Sequence, residues 1–134
     1  MTRRESVSDG NAPTAPVHAR PAPASHFDLI RVIDELRSGH QYKSTGHAAR
    51  TLVKYPELRI VLIVLRRGAE LKEHRTNQPV SIHLLSGRIR VALPEYEETV
   101  GGLLVIEPGV AHDVSAVTDS AFLLTMPWSE HAEG

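Results

Sequence analysis

Apolar residues recur at helical spacing through Leu29, Ile30, Val32, Ile33 and Leu36. Ser25 stands ahead of them as a capping hydroxyl, and Asp28, three residues later, fits a variant of the capping box. Gly39, just after Arg37, supplies a stop. The pattern predicts one amphipathic helix over 25–39. From residue 48 the period changes to that of strands. Residues 50–54 read as a short strand and Tyr55-Pro56-Glu57 as a turn. The run 58–66, LRIVLIVLR, is apolar on both parities and rich in β-branched residues. Such a strand is covered on both faces. Short strands follow over 71–74 and 80–85, and Ser86-Gly87 reads as a tight hairpin into 88–93. There Ile89, Val91 and Leu93 alternate with Arg88 and Arg90, a period of two. A turn over 94–98, a strand over 103–106, a turn at Pro108-Gly109 and strands over 112–117 and 121–125 complete the pattern.

One helix followed by roughly eight short strands with regular turn signals predicts an all-β antiparallel sandwich or barrel. Strands and helices do not alternate, so a doubly wound parallel sheet is not expected. Residues 1–24 are rich in Ala, with Pro13, Pro16, Pro21 and Pro23 among them. Few side chains there can offset the entropy of ordering, so a disordered arm is expected. The organisation is therefore an arm over 1–24, the helix over 25–39, the β-barrel over 48–127 and a loose tail over 128–134.

Composition narrows the function classes. With 134 residues the chain has the length of one domain. Its formal net charge is −1, so bulk electrostatics predict no nucleic-acid partner and no anionic membrane. Aromatic residues make up 4%, too few for a base-stacking platform. The longest apolar run, 60–65, is far short of the ~20 residues of a membrane helix. The chain starts with a polar Met-Thr-Arg-Arg-Glu and no apolar segment follows, so no secretory signal is expected. Cysteine is absent, which excludes thiolate ligands and leaves His, Asp, Glu and Gln to hold a metal. A cytoplasmic location is the expectation.

Two stretches carry the candidate chemistry. The first runs from Gly68 through His74 to Gly87, and the second from Gly101 through Pro108-Gly109 to His112. Their spacings resemble the two motifs of the cupin superfamily, in its small single-domain form, over about 48–127. In the first motif a glycine is followed after five residues by His-x-His, then Glu, then Gly. Gly68, His74 and Gly87 fill those places. In the second motif a glycine leads to Pro-x-Gly and then His. Gly101, Gly109 and His112 fit, with Glu107 at the proline position. The resemblance implies a jelly-roll, double-stranded β-helix barrel. It also implies a divalent metal (Fe, Mn, Ni or Zn) held by three His and one Glu. This chain departs from that set. Thr76 stands at the second His, and Val80, or Ser81 with the longer spacing, stands at the Glu.

His74 and His112 are then the candidate metal anchors, with Gln78, His83 or water as further ligands. Strand parity turns His83 away from Val80 and Ile82. Two imidazoles fall short of the three protein ligands of a catalytic zinc or of a facial triad, so any metal is expected at low or modest affinity. The candidate ligand pocket comprises Lys72, Thr76, Val80, Ile82 and Val114. Glu70 and Lys72 share parity with His74, which would suit proton transfer. His26, His40 and His47 lie outside the barrel core, and no nucleophile elbow, phosphate loop or HExxH motif occurs. Three readings follow. The first is a small-molecule-binding protein, acting as sensor or accessory. The second is a metal-dependent dioxygenase or isomerase with a reduced ligand set. The third is a structural dimerisation module. The helix and the doubly apolar strand suggest a homodimer.

Overall fold

The structure, a computed structural model, describes residues 23–127. But for Pro23 and Ala24, the expected arm and tail lie outside the described residues. The first helix, α1 (Leu29–Ser38), starts later than expected. Its cap is Asp28, not Ser25: the carboxylate accepts from the Arg31 N–H at 3.2 Å and the backbone there is extended. Gly39 ends α1 in an extended conformation, φ −81° and ψ 162°. The chain then enters a second short helix, α2 (His40–Thr45). The single helix of the sequence reading is therefore a helix pair. The segment HQYKST carries one large apolar side chain, Tyr42, so it has no apolar periodicity to read.

Nine strands follow: β1 (His47–Tyr55), β2 (Leu58–Leu65), β3 (Glu70–His74), β4 (Val80–Ser86), β5 (Ile89–Ala92), β6 (Glu97–Val100), β7 (Leu103–Ile106), β8 (His112–Ala116) and β9 (Ser120–Met126). They form two sheets, ordered β1-β2-β9-β4-β7 and β3-β8-β5-β6, with every pairing antiparallel. The strand β6 falls partly in the stretch read as a turn, because Glu97-Glu98-Thr99-Val100 offers a single apolar residue. The Ser86-Gly87 corner is not a hairpin. β4 pairs with β7 and β9, while β5 pairs with β6 and β8, so the chain crosses there from one sheet to the other.

The two inner faces enclose the main core. Val61, Ile63, Leu65, Val80, Ile82 and Phe122 come from the first sheet, and Ile89, Val91, Val114 and Ala116 from the second. The opposite parity of β2, Leu62 and Val64, is fully buried on the outer face of the first sheet. It packs with Ile33, Tyr42, Ala48 and Ala121. The doubly apolar strand is thus covered within the chain by its own helices, which removes it as an argument for a second copy. Arg66, just past β2, locks this cover in place. Its Nη2 donates to the carbonyls of Tyr42 (2.9 Å) and Lys43 (3.1 Å), in the last turn of α2. Its guanidinium also lies 5.3 Å from the centre of the Tyr42 ring.

At the sheet crossing, Gly87 has φ 84°. A Cβ there would stand 2.2 Å from the Asp119 carbonyl oxygen and 2.4 Å from Ser120 Oγ. Ser120 is fully buried, and its Oγ accepts from the Arg88 N–H at 3.0 Å and lies 2.7 Å from the Thr118 carbonyl. Gly109 has a similar φ, 81°, but open space where its Cβ would be. Gly87→Ala should therefore lose on the order of 3 kcal/mol, backbone strain plus overpacking, whereas Gly109→Ala should lose about 1 kcal/mol, strain alone. Urea denaturation of the two variants checks this. Equal losses would show that the approach of the β8–β9 corner does not demand the glycine.

Candidate functional site

A cavity of about 250 Å³ lies between the sheets. Parity decides what lines it. On β4, Val80 and Ile82 point inward, while Ser81 is half-buried and His83 is exposed on the outer face. On β9 the inward set is Phe122, Leu124 and Met126, and β2 adds Ile63. On β8 the inward residues are His112 and Val114, with Asp113 and Ser115 half-buried between them. Leu71 of β3 stands opposite Val114 and also lines the cavity.

The register of β3 shifts between Leu71 and His74, an irregularity that brings the His74 backbone opposite His112. The His74 side chain lies outside the described residues. The same shift breaks the parity that would join Lys72 and Glu70 to His74. Lys72, expected in the pocket, is instead outside it, with its side chain 80% exposed and its Nζ 2.5 Å from Glu70 Oε1. The hydrogen bond and charge of Glu70 hold the Lys72 ammonium above its ordinary pKa. The residue that turns inward is its neighbour Leu71.

Thr76 lines the cavity wall. Its hydroxyl donates to the Gln78 carbonyl at 2.6 Å and accepts from the Gln78 N–H at 3.3 Å, closing a small turn ahead of β4. The Thr76 carbonyl accepts from the Gly109 N–H at 2.7 Å, tying this loop to the β7–β8 turn. Gln78 is half-buried but is not among the described lining residues. His112 is 6% exposed, with Nδ1 3.1 Å from the Val110 carbonyl. A carbonyl only accepts, so Nδ1 carries the proton of the neutral ring and Nε2 its lone pair.

The described donors do not complete a resident metal centre of the kind the motif implies. Among the described residues no three of His, Cys, Asp and Glu come together. Val80, at the position of the motif's Glu, is an inward-facing apolar residue, 3% exposed. Ser81, the other spacing, belongs to the opposite parity. Thr76, at the second His, has its proton on Gln78. The described lining carries no formal charge: Thr76 and His112 are its polar members. A second hollow, about 330 Å³, lies between 93–96 and β7, but its polar side chains are exposed Glu95, Tyr96 and Glu107.

Ile63, Leu71, Phe122, Leu124 and Met126 line the cavity without having been singled out in the sequence. β9 is apolar on both parities from Ala121 to Leu124, so its sequence does not tell which of these residues face inward. Which strands β9 would join was not readable from it.

Among the described residues no helix is long and apolar enough to cross a membrane. No protein-family model matches the sequence, and no curated protein does. Solved structures do match. A conserved protein of unknown function from Streptococcus pyogenes is 26% identical over 64% of this chain and 77% of its own, with a TM-score of 0.59. A cupin superfamily protein from Desulfitobacterium hafniense is 12% identical over 62% of this chain and 78% of its own, also at 0.59. Salicylate 1,2-dioxygenase from Pseudoaminobacter salicylatoxidans, as a single-substitution variant, is 17% identical over 75% of this chain, with a TM-score of 0.68. This chain spans 34% of that enzyme. Two antiparallel sheets closing on one cavity and these likenesses agree: the chain has the fold of the cupin superfamily.

Proposed function

We propose that this protein is a small-molecule-binding cupin whose ligand occupies the cavity between the two sheets, in a sensor or accessory role. The observation that carries this is the cavity itself: about 250 Å³ of space, walled by apolar side chains with Thr76 and His112 as the polar exceptions. A partly open space of that chemistry is the usual form of a small-molecule site, a few convergent polar groups on an apolar wall. A structural module has no use for it, since filling such a void would stabilise the fold.

The second reading, a metal-dependent enzyme, has one observation in its favour: the register that sets the His74 and His112 backbones opposite each other. Against it stand Val80 and Thr76, where two further ligands would be needed. Binding without metal chemistry accounts for more of the site.

Protein prepared without chelator or nickel resin should contain Fe, Mn, Ni and Zn well below one equivalent by elemental analysis. Near-stoichiometric metal that disappears in His112→Ala would favour the enzyme reading instead. Small aromatic fragments should shift the backbone amide signals of Ile82, Val114 and Phe122 in nitrogen–proton correlation spectra. A fragment collection that leaves those signals unmoved would sink the binding proposal. Long-range nitrogen–proton spectra of His112 at pH 8 should show the proton on Nδ1, as the Val110 carbonyl requires. A proton on Nε2 would contradict this geometry.

A further inference from the structure

We infer that the cavity selects an uncharged, mainly apolar molecule of about one ring and rejects carboxylates. This rests on the reading that the cavity binds a small molecule, and it sets the ligand apart from salicylate, for which the structurally similar dioxygenase is named.

Size comes first. An apolar cavity of about 150 Å³ holds benzene. One of about 250 Å³, partly open to solvent, has room within its walls for a single ring with one or two small substituents.

Charge decides the class. A buried carboxylate needs a cation, a metal or several hydrogen-bond donors, and without them its transfer from water is strongly unfavourable. The described lining contains no Lys and no Arg. The nearest sequence candidate for a cation, Lys72, is turned outward and paired with Glu70. The two polar side chains of the wall have their donor hydrogens in use. The Thr76 hydroxyl donates to the Gln78 carbonyl, and His112 Nδ1–H donates to the Val110 carbonyl. In the neutral ring Nε2 has no hydrogen to donate. A metal could take the place of a cation, but the positions that would complete its ligand set are Thr76 and Val80. Among the described lining residues no cation and no unused donor hydrogen faces an anion, while the Ile, Leu, Val, Phe and Met side chains suit a neutral ring.

The test compares matched probes on the full chain at pH 8, where imidazoles are ordinarily neutral. Phenol, benzyl alcohol and toluene are set against benzoate and salicylate, first with EDTA and then with Fe(II), Mn(II) or Zn(II). Kd values come from titrations followed by nitrogen–proton correlation spectra, which also map the probe onto Ile82, Val114 and Phe122. The neutral probes should bind there, with benzoate and salicylate at least about tenfold weaker under both conditions. Benzoate or salicylate bound as tightly as the neutral probes, with or without metal, overturns the inference while the binding reading stands. If no probe of either class reaches the cavity, the binding reading falls and the inference with it. Ile82→Phe and the milder Val114→Ile, which narrow the space, should weaken the neutral probes. Undiminished binding in a folded variant would place the ligand elsewhere and overturn the assignment.

Discussion

The strand β2 has no solvent face along most of its length, and the rest of the architecture answers to that. Val61, Ile63 and Leu65 must be covered on one side and Leu62 and Val64 on the other. Burying a Leu, Ile or Val side chain is worth about 1.5–3 kcal/mol, so leaving either face wet is not an option for a small fold. The second sheet covers one face and creates the cavity. The helix pair covers the other, with Ile33 and Tyr42 packed on Leu62 and Val64. Arg66 holds the end of α2 to the chain just past β2, so helix cover and barrel wall share one strand. A change in how the helices seat would act on the cavity through Ile63, one residue from Leu62.

Two local features then determine which side chains reach the cavity. At Gly87 the chain leaves one sheet for the other, and the close approach of Asp119 and Ser120 leaves no room for a side chain. The crossing places Ile82 and Val91 in opposite walls of one core. Between Leu71 and His74 the irregular register of β3 exchanges the inward and outward positions. Leu71 is carried inward and Lys72 outward, so the wall becomes more apolar than strict alternation implies.

The chemistry of the site follows from which side chains stand between the glycines. Gly68, Gly87 and Gly109 have positive φ and set the turns. Val80 belongs to the core, and the Thr76 hydroxyl closes a turn. Neither position offers a side chain that holds a metal.

Much of this was readable along the chain because it depends on local period and spacing. The doubly buried strand, the period of two through Ile89 and Val91, the Gly–His frame and the inward parity of Val80 and Ile82 with His83 opposite are all properties of neighbouring residues. So was the absence of Glu and His at positions 80 and 76. What depends on contacts between distant residues was not readable. Gly87 turned out to be a crossing and not a hairpin, because strand partners are chosen by burial across the whole barrel. The exchange of Leu71 for Lys72 arose from a register shift against β8, which no alternation within β3 can signal. The second face of β2 was covered by α1 and α2 instead of another copy, because an apolar face demands burial without naming what buries it. The sequence by itself determined which residues must be hidden and which donors are missing. Only the tertiary structure decided what hides them, and hence that the cavity wall is uncharged along its described length.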